Sequence, residues 1–227
     1  KEEENNYTKF DKIFFVSSKD ISNEKNMHSK ISDRFYLCNI GIDINEVLKA
    51  PELKLKGKSL VFTGVMDYEP NEDAMVYFIQ EVFDKVAEKC PEVTLYIVGK
   101  NPTDKLKKLV INRKNIIVTG KVDSVFSYIK SSTIYISPLR IGSGKKNKII
   151  EAISCGTPLI ASTVSMEGFE DIEDKNLILR ADSSNEWVEN ICKLLSDEEK
   201  RIDIKKRMFN LLDESYSWKN IAKKLVE

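Results

Sequence analysis

The sequence is short of the residues that most often carry chemistry. It has a single histidine, His28, and four cysteines, Cys38, Cys90, Cys155 and Cys192, with no Cys-x-x-Cys pair among them. That spacing leaves no zinc pattern and no disulfide framework. The thiols read as reduced groups of a cytoplasmic protein, mostly in apolar surroundings. Charge of one sign is also lacking, since 36 Lys and Arg stand against 36 Asp and Glu. A balanced chain is a poor general nucleic-acid binder, although one local basic site is still allowed. No apolar run approaches the roughly 20 residues of a membrane span. The opening KEEENNYTK is no signal peptide and has no starting Met, so the chain reads as a piece of a longer protein. A D-x-D pattern is absent; the nearest form, Asp171-Ile172-Glu173, reads as a solvated acidic loop and not as a metal site.

What is present is alternation. Apolar bursts of strand length occur at Lys12–Val16, Ser59–Gly64, Val93–Gly99, Asn115–Gly120, Thr133–Pro138, Thr157–Ser162 and Asn176–Arg180. They are rich in Val, Ile, Leu and Tyr with little in-out alternation, as expected of strands covered on both faces. Helical patterns fall between them, at Asn71–Lys89, Asp123–Lys130, Lys145–Ser154 and Ser184–Leu195, with two more near Asp197–Leu212 and Trp218–Val226. Strand and helix in turn imply right-handed crossovers and a parallel sheet. The fold class expected is α/β, a Rossmann-like doubly wound parallel sheet running from residue 59 to 227. Residues 1–45 hold one clear strand and a polar segment, and residues 46–58 read as a linker without regular structure.

Ligands of doubly wound sheets bind outside the carboxyl ends of the strands. Three of these strands end in Gly64, Gly99 and Gly120, and a fourth runs into PLRIGSGKKNKIIEAISCGTP, residues 138–158. One such glycine only helps a strand turn; three beside a basic segment point to a ligand. The segment is not a Walker A loop, because Gly144-Lys145 is followed by Lys146 instead of a hydroxyl and Leu139 stands where the first glycine is needed. Gly142, Ser143 and Gly144 instead lead into a helix expected to start near Lys145. Its first N–H groups and its dipole favour an anion. Arg140, Lys145, Lys146 and Lys148 add formal charge, and three lysines in a first helical turn repel the dipole unless an anion sits there. Set against this is a solvated basic turn. Glu151 lies three residues after Lys148 among isoleucines, placed either to accept hydrogen bonds from vicinal hydroxyls or to pair with Lys148.

Taken in order, FTGVMDYEPNEDA (residues 62–74), IVG (97–99), VTGKV (118–122), PLRIGSGKKNKIIEAISCGTPLIAS (138–162), MEGF (166–169) and YSW (216–218) resemble the C-terminal, donor-binding half of GT-B glycosyltransferases of family 4, the group 1 type. The resemblance covers nearly all of residues 59–227. It implies that Gly64 lets backbone approach the donor phosphates, and that Arg140 with Lys146 or Lys148 holds the pyrophosphate, Arg140 and Lys148 acting on the leaving group. It implies further that Gly142, Ser143 and Gly144 form the phosphate loop and that Glu151, the second glutamate of the E-x7-E motif, binds the ribose. Gly99-Lys100 and Lys121-Val122 would line the base pocket, and Glu167-Gly168 would lie near the end of the site. Ser143 stands where the first glutamate of that motif belongs, so sugar contacts would come from backbone or elsewhere.

The expected activity is transfer of a sugar from a UDP-, GDP- or ADP-sugar to a glycan or lipid-linked acceptor, with retention of configuration and no metal. Fixed cations and helix-end N–H groups would stabilise the leaving phosphate. The acceptor domain is missing from the chain as read, apart from a remnant in residues 1–45, so the chain would be inactive alone. Peripheral attachment of the full-length protein at the inner face of the plasma membrane fits that reading. Two alternatives stand beside it: a nucleotide-sugar 2-epimerase, which His28 outside the domain disfavours, and a non-catalytic nucleotide-binding module, which has no use for the Arg140–Lys148–Glu151 set. Trp218, Ile221 and Leu225 of the last helix are expected either to be exposed or to pack within a monomer or on a second copy.

Overall fold

The computed structural model describes residues 6–169, 172, 177–212 and 216–226. Six strands form one all-parallel sheet: β3 (Lys58–Thr63), β4 (Val93–Val98), β5 (Ile116–Gly120), β6 (Ile134–Ser137), β7 (Leu159–Ala161) and β8 (Ile178–Arg180). Their spatial order is β5-β4-β3-β6-β7-β8, so the chain works outward from β3 in one direction, then crosses back and works outward in the other. The switch lies between β3 and β6, where Leu60 pairs with Ile134 and Val61 with Tyr135. Both strands are buried along nearly their whole length, which is why they read as continuous apolar runs.

The helices carry apolar stripes matched to this sheet. Helix α3 (Glu69–Tyr77) passes through a π turn at Phe78–Phe83 into α4 (Asp84–Lys89), and the stripe Met75, Phe78, Ile79, Val82, Phe83 and Val86 is fully buried. Helix α8 (Ser184–Ser196), opened by a capping box between Ser183 and Glu186, packs on that pair and sets Trp187 edge-on to Phe78. Helix α7 (Asn147–Ser154) packs instead with α6 (Val125–Ser131) and α9 (Glu198–Leu211). Helix α5 (Asp104–Val110), which the sequence reading passed over, joins β4 to β5 and is capped by Thr103.

Several expectations are corrected here. The polar segment after Val16 is a helix, α1 (Ser18–Met27), whose first turn is capped by Ser17; it buries no residue, so it carries no apolar period to be read. A second short strand, β2 (Phe35–Leu37), pairs in parallel with β1 (Ile13–Phe15). Helix α2 (Ile44–Lys49), capped by Asp43 and anchored by the buried Val47, runs into residues 46–58, where the sequence predicts a linker without regular structure. The helix expected from Lys145 starts two residues later, because Gly144 has φ of 75° and Lys146 is the N-cap. Only Lys148 of the three lysines therefore stands in its first turn.

The final helix, α10 (Trp218–Val226), is tied to the segment before β3: Ile42 bridges Ser217, and a side chain on Gly41 would collide with Trp218 and Ile221. Ile221 is buried and Trp218 about half exposed at 52%. The side chain of Leu225 lies outside the described residues, as do Asp171 and Glu173 of the acidic loop. Among the described residues no helix is long and apolar enough to cross a membrane, and no three His, Cys, Asp or Glu side chains gather where they could hold a metal ion.

Candidate functional site

The carboxyl ends of β3, β4, β5 and β6 open into a cleft of about 550 Å³. Gly64, Gly99, Lys100, Lys121, Val122, Gly142, Ser143, Lys145, Lys146, Lys148 and Glu151 all line it. Two glycines at its floor are required by geometry. A Cβ on Gly99, whose φ is 147°, would sit 1.8 Å from the carbonyl oxygen of Gly64. A Cβ on Gly64 would sit 2.6 Å from the amide of Asn71. The β3 and β4 turns are thus pressed together, tied by Gly64 N–H to Val98 O at 3.0 Å and Met66 N–H to Lys100 O at 2.9 Å.

A buried serine cluster, Ser137, Ser162 and Ser165, lies behind the exit of β6. Ser165 Oγ donates to Ser137 O at 2.6 Å, and Ser162 Oγ donates to Leu139 O at 2.5 Å. These bonds fix the exit of β6, so the glycine loop at Gly142–Gly144 leaves from a rigid base. Gly142 and Gly144 have φ of 114° and 75°, conformations that other residues rarely adopt. The N–H of Gly144 donates to Glu167 Oε2 at 3.0 Å, and the same carboxylate meets Lys19 at 2.9 Å and Lys146 at 3.5 Å. Hydrogen bonding from Lys19 and Gly144 and the nearby Lys146 hold the Glu167 carboxyl below its ordinary range. Burial pulls the Lys146 ammonium down, and Glu167 partly offsets it.

Lys148 and Glu151 share one face of the first turns of α7. The Lys148 ammonium lies 4.1 Å from the centre of the Phe62 ring and donates to Asn71 Oδ1 at 2.8 Å. Desolvation pulls its pKa down to about 7, with Glu151 opposing the shift. The Glu151 carboxyl is raised by burial, with Lys148 opposing. No ion pair or side-chain hydrogen bond engages Glu151 among the described residues, which leaves its carboxylate open to the cleft. Beneath it, Tyr135 and Thr63 share a buried hydrogen bond of 2.6 Å that closes the floor.

Two predicted residues stand apart. Arg140 does not line the cleft; its guanidinium binds Asp73 through Nε at 2.9 Å and Nη2 at 2.5 Å and stacks 4.7 Å from the Tyr77 ring. Gly144 does not line the cleft either; it is exposed, and its N–H is taken up by Glu167. Lys145 turns from the loop onto Phe169 and Tyr216, with ring centres at 4.6 and 5.4 Å, and donates to Asn39 Oδ1 at 3.2 Å. Sequence reasoning missed Asn71 and the exposed Tyr68, which also line the cleft. Nothing in the sequence distinguishes Asn71 from a surface amide.

The arrangement suits a polyanion carrying a polar, hydroxylated body: Lys100, Lys121, Lys146 and Lys148, helix-start N–H groups and one open carboxylate.

The profile of the family Glycosyl transferases group 1 matches residues 57–197. The chain is 32% identical over 140 residues to an uncharacterized glycosyltransferase of Methanocaldococcus jannaschii, a match covering 58% of this chain and 35% of the relative. It is 27% identical over 156 residues to a phosphatidyl-myo-inositol mannosyltransferase of Mycobacterium tuberculosis, covering 65% of this chain and 39% of the relative. Its fold superposes on S. aureus TarM, solved with Fondaparinux, alpha-GlcNAc-glycerol and UDP, with a TM-score of 0.78 at 17% identity over 97% of this chain and 44% of that one. The matches thus span less than half the length of these relatives.

Proposed function

The chain belongs to the group 1 glycosyl transferases, and on that premise we propose that the cleft binds a nucleotide-diphosphate sugar and serves as the donor site of a hexosyl transfer. The observation that carries this reading is the Lys148–Glu151 pair. One helical turn presents a desolvated ammonium and an open, partly buried carboxylate to a cleft floored by glycine. A diphosphate would meet Lys148, Lys146 and the N–H groups at the start of α7. The ribose diol would donate to Glu151, and the base would lie between Gly99-Lys100 and Lys121-Val122. Charge growing on the leaving phosphate would be met by cations already fixed in place, which lowers the barrier without reorganisation.

In this reading residues 59–227 are the donor domain, and residues 1–45 belong with an acceptor-binding part. The exposed Phe14, Tyr36 and Leu37 on β1 and β2 support that division. Retention of configuration, a glycan or lipid-linked acceptor and peripheral membrane attachment are part of the proposal. TarM's complex with UDP favours a uridine nucleotide as the first ligand to try. Calorimetric titration with UDP, GDP and ADP tests the site. Binding of one of them, weakened by Lys148→Met and Glu151→Gln, supports the proposal; equal binding by both variants and the parent chain contradicts it.

A further inference from the structure

One side chain joins the two halves of this site, and its position is not explained by packing alone. Asn71 lies at the start of α3 and is 6% exposed. Its Nδ2 donates to Val65 O at 2.9 Å, and its Oδ1 accepts from Lys148 Nζ at 2.8 Å. Because the amide nitrogen is committed to the Val65 carbonyl, the oxygen must face Lys148. The same amide covers Gly64, where a Cβ would lie 2.6 Å from it. The backbone of Asn71 is held as well, its N–H donating to Tyr68 O at 2.9 Å.

We propose that Asn71 is a positioning residue for the donor site: its amide clips the Gly64–Val65 turn to the Lys148 ammonium, so that the glycine turn and the cation keep one fixed geometry. This rests on the reading that Lys148 faces the donor diphosphate. The ammonium has one hydrogen-bond acceptor among the described residues, Asn71, and otherwise meets the face of Phe62. A neutral acceptor orients a cation without cancelling its charge; a carboxylate in that place would neutralise it and compete with the diphosphate. The ionisable groups around Lys148 are Glu151 on its own helix, Lys145 and Lys146 in the preceding loop, Lys100 and Lys121 across the cleft, and Tyr68 beside Asn71.

The test follows the titration of Lys148 by NMR of its side-chain carbon in the unliganded chain, for the parent, Asn71→Asp and Asn71→Leu. The parent should titrate near the value of about 7 that burial imposes. Asn71→Asp should move the midpoint upward by about one unit or more, and Asn71→Leu should move it downward. UDP titrations of the same chains should show affinity falling about tenfold or more in Asn71→Leu. Midpoints unmoved in both variants overturn the proposal, and a loss of thermal stability without a shift in midpoint assigns Asn71 a structural role only. Midpoints that move while the parent chain ignores UDP keep Asn71 as the positioner of Lys148 and overturn the donor-site reading instead.

Discussion

Both edges of the six-stranded sheet carry basic grooves, and only one is built as a site. The carboxyl edge holds the cleft of about 550 Å³ with Lys100, Lys121, Lys145, Lys146 and Lys148. The amino edge holds a groove of about 260 Å³ with Lys130, Arg201 and Lys205. At the amino edge Arg201 is already spent on the end of α8, donating to Leu194 O at 2.6 Å and Leu195 O at 3.3 Å. Lys205 is exposed and leans toward Phe209. At the carboxyl edge Lys148 is desolvated and aimed by one amide, beside a carboxylate left open. Positive charge is therefore common to both edges. What separates them is charge held out of water beside two backbone turns packed too closely to admit a side chain at Gly99.

The sharpest way to break this comparison is to substitute one glycine at each edge. Gly99→Ala puts a methyl 1.8 Å from a backbone oxygen that cannot yield. It should cost about 3 kcal/mol or more of stability by urea unfolding, with the cleft lost. Gly156 also has a positive φ, of 63°, but a Cβ there meets side-chain atoms instead of backbone, the Phe209 ring at 2.8 Å and Lys205 Cγ at 2.9 Å. Gly156→Ala should cost about 1–2 kcal/mol and leave nucleotide binding intact. Equal costs at the two edges would contradict the distinction.

Next in size is the lysine exchange. Lys148→Met should weaken nucleotide binding by about 1.5–3 kcal/mol, the range for a charge-assisted hydrogen bond. Lys205→Met should change it by no more than experimental error.

Acidity gives a third contrast. The folded chain holds Lys148 near 7, below its ordinary 10.5, so between those values the unfolded chain binds more protons. The burial penalty is fully present below about 7 and fades as pH rises toward 10.5, so stability should climb across that window. The climb should be smaller in Lys148→Met, which should also stabilise the unliganded chain at neutral pH. Chemical unfolding at stepped pH reads both effects. The smallest expected effect is Arg201→Ala, which frees two helix-end carbonyls and should cost about 1 kcal/mol without touching binding.

Much of the carboxyl edge was legible in the sequence because strands covered on both faces must be apolar throughout, and glycine is hard to replace where backbones touch. The run of Val, Ile and Leu through β3 and β4 and the endings at Gly64, Gly99 and Gly120 carry that information. The polar elements were less legible. Helix α1 buries nothing, so only its Ser17 cap marks it. Long-range polar partners were not legible at all. Arg140 is expected at the phosphates from its charge, and its partner Asp73, 67 residues away on α3, could not be read from the sequence. Asn71 and Glu167 act on residues 77 and 23 positions distant, and an amide or a carboxylate alone says nothing about where it reaches.

The central claim is that Lys148 receives the anionic part of a sugar nucleotide as a desolvated ammonium. It is tested most directly by calorimetric titration of the chain with a UDP-sugar, whose phosphates do not titrate near neutrality, at pH values on both sides of about 7. Proton uptake on binding and an affinity that falls as pH rises through that point are expected, with both features lost in Lys148→Met. Binding that is independent of pH and unchanged in Lys148→Met would contradict it.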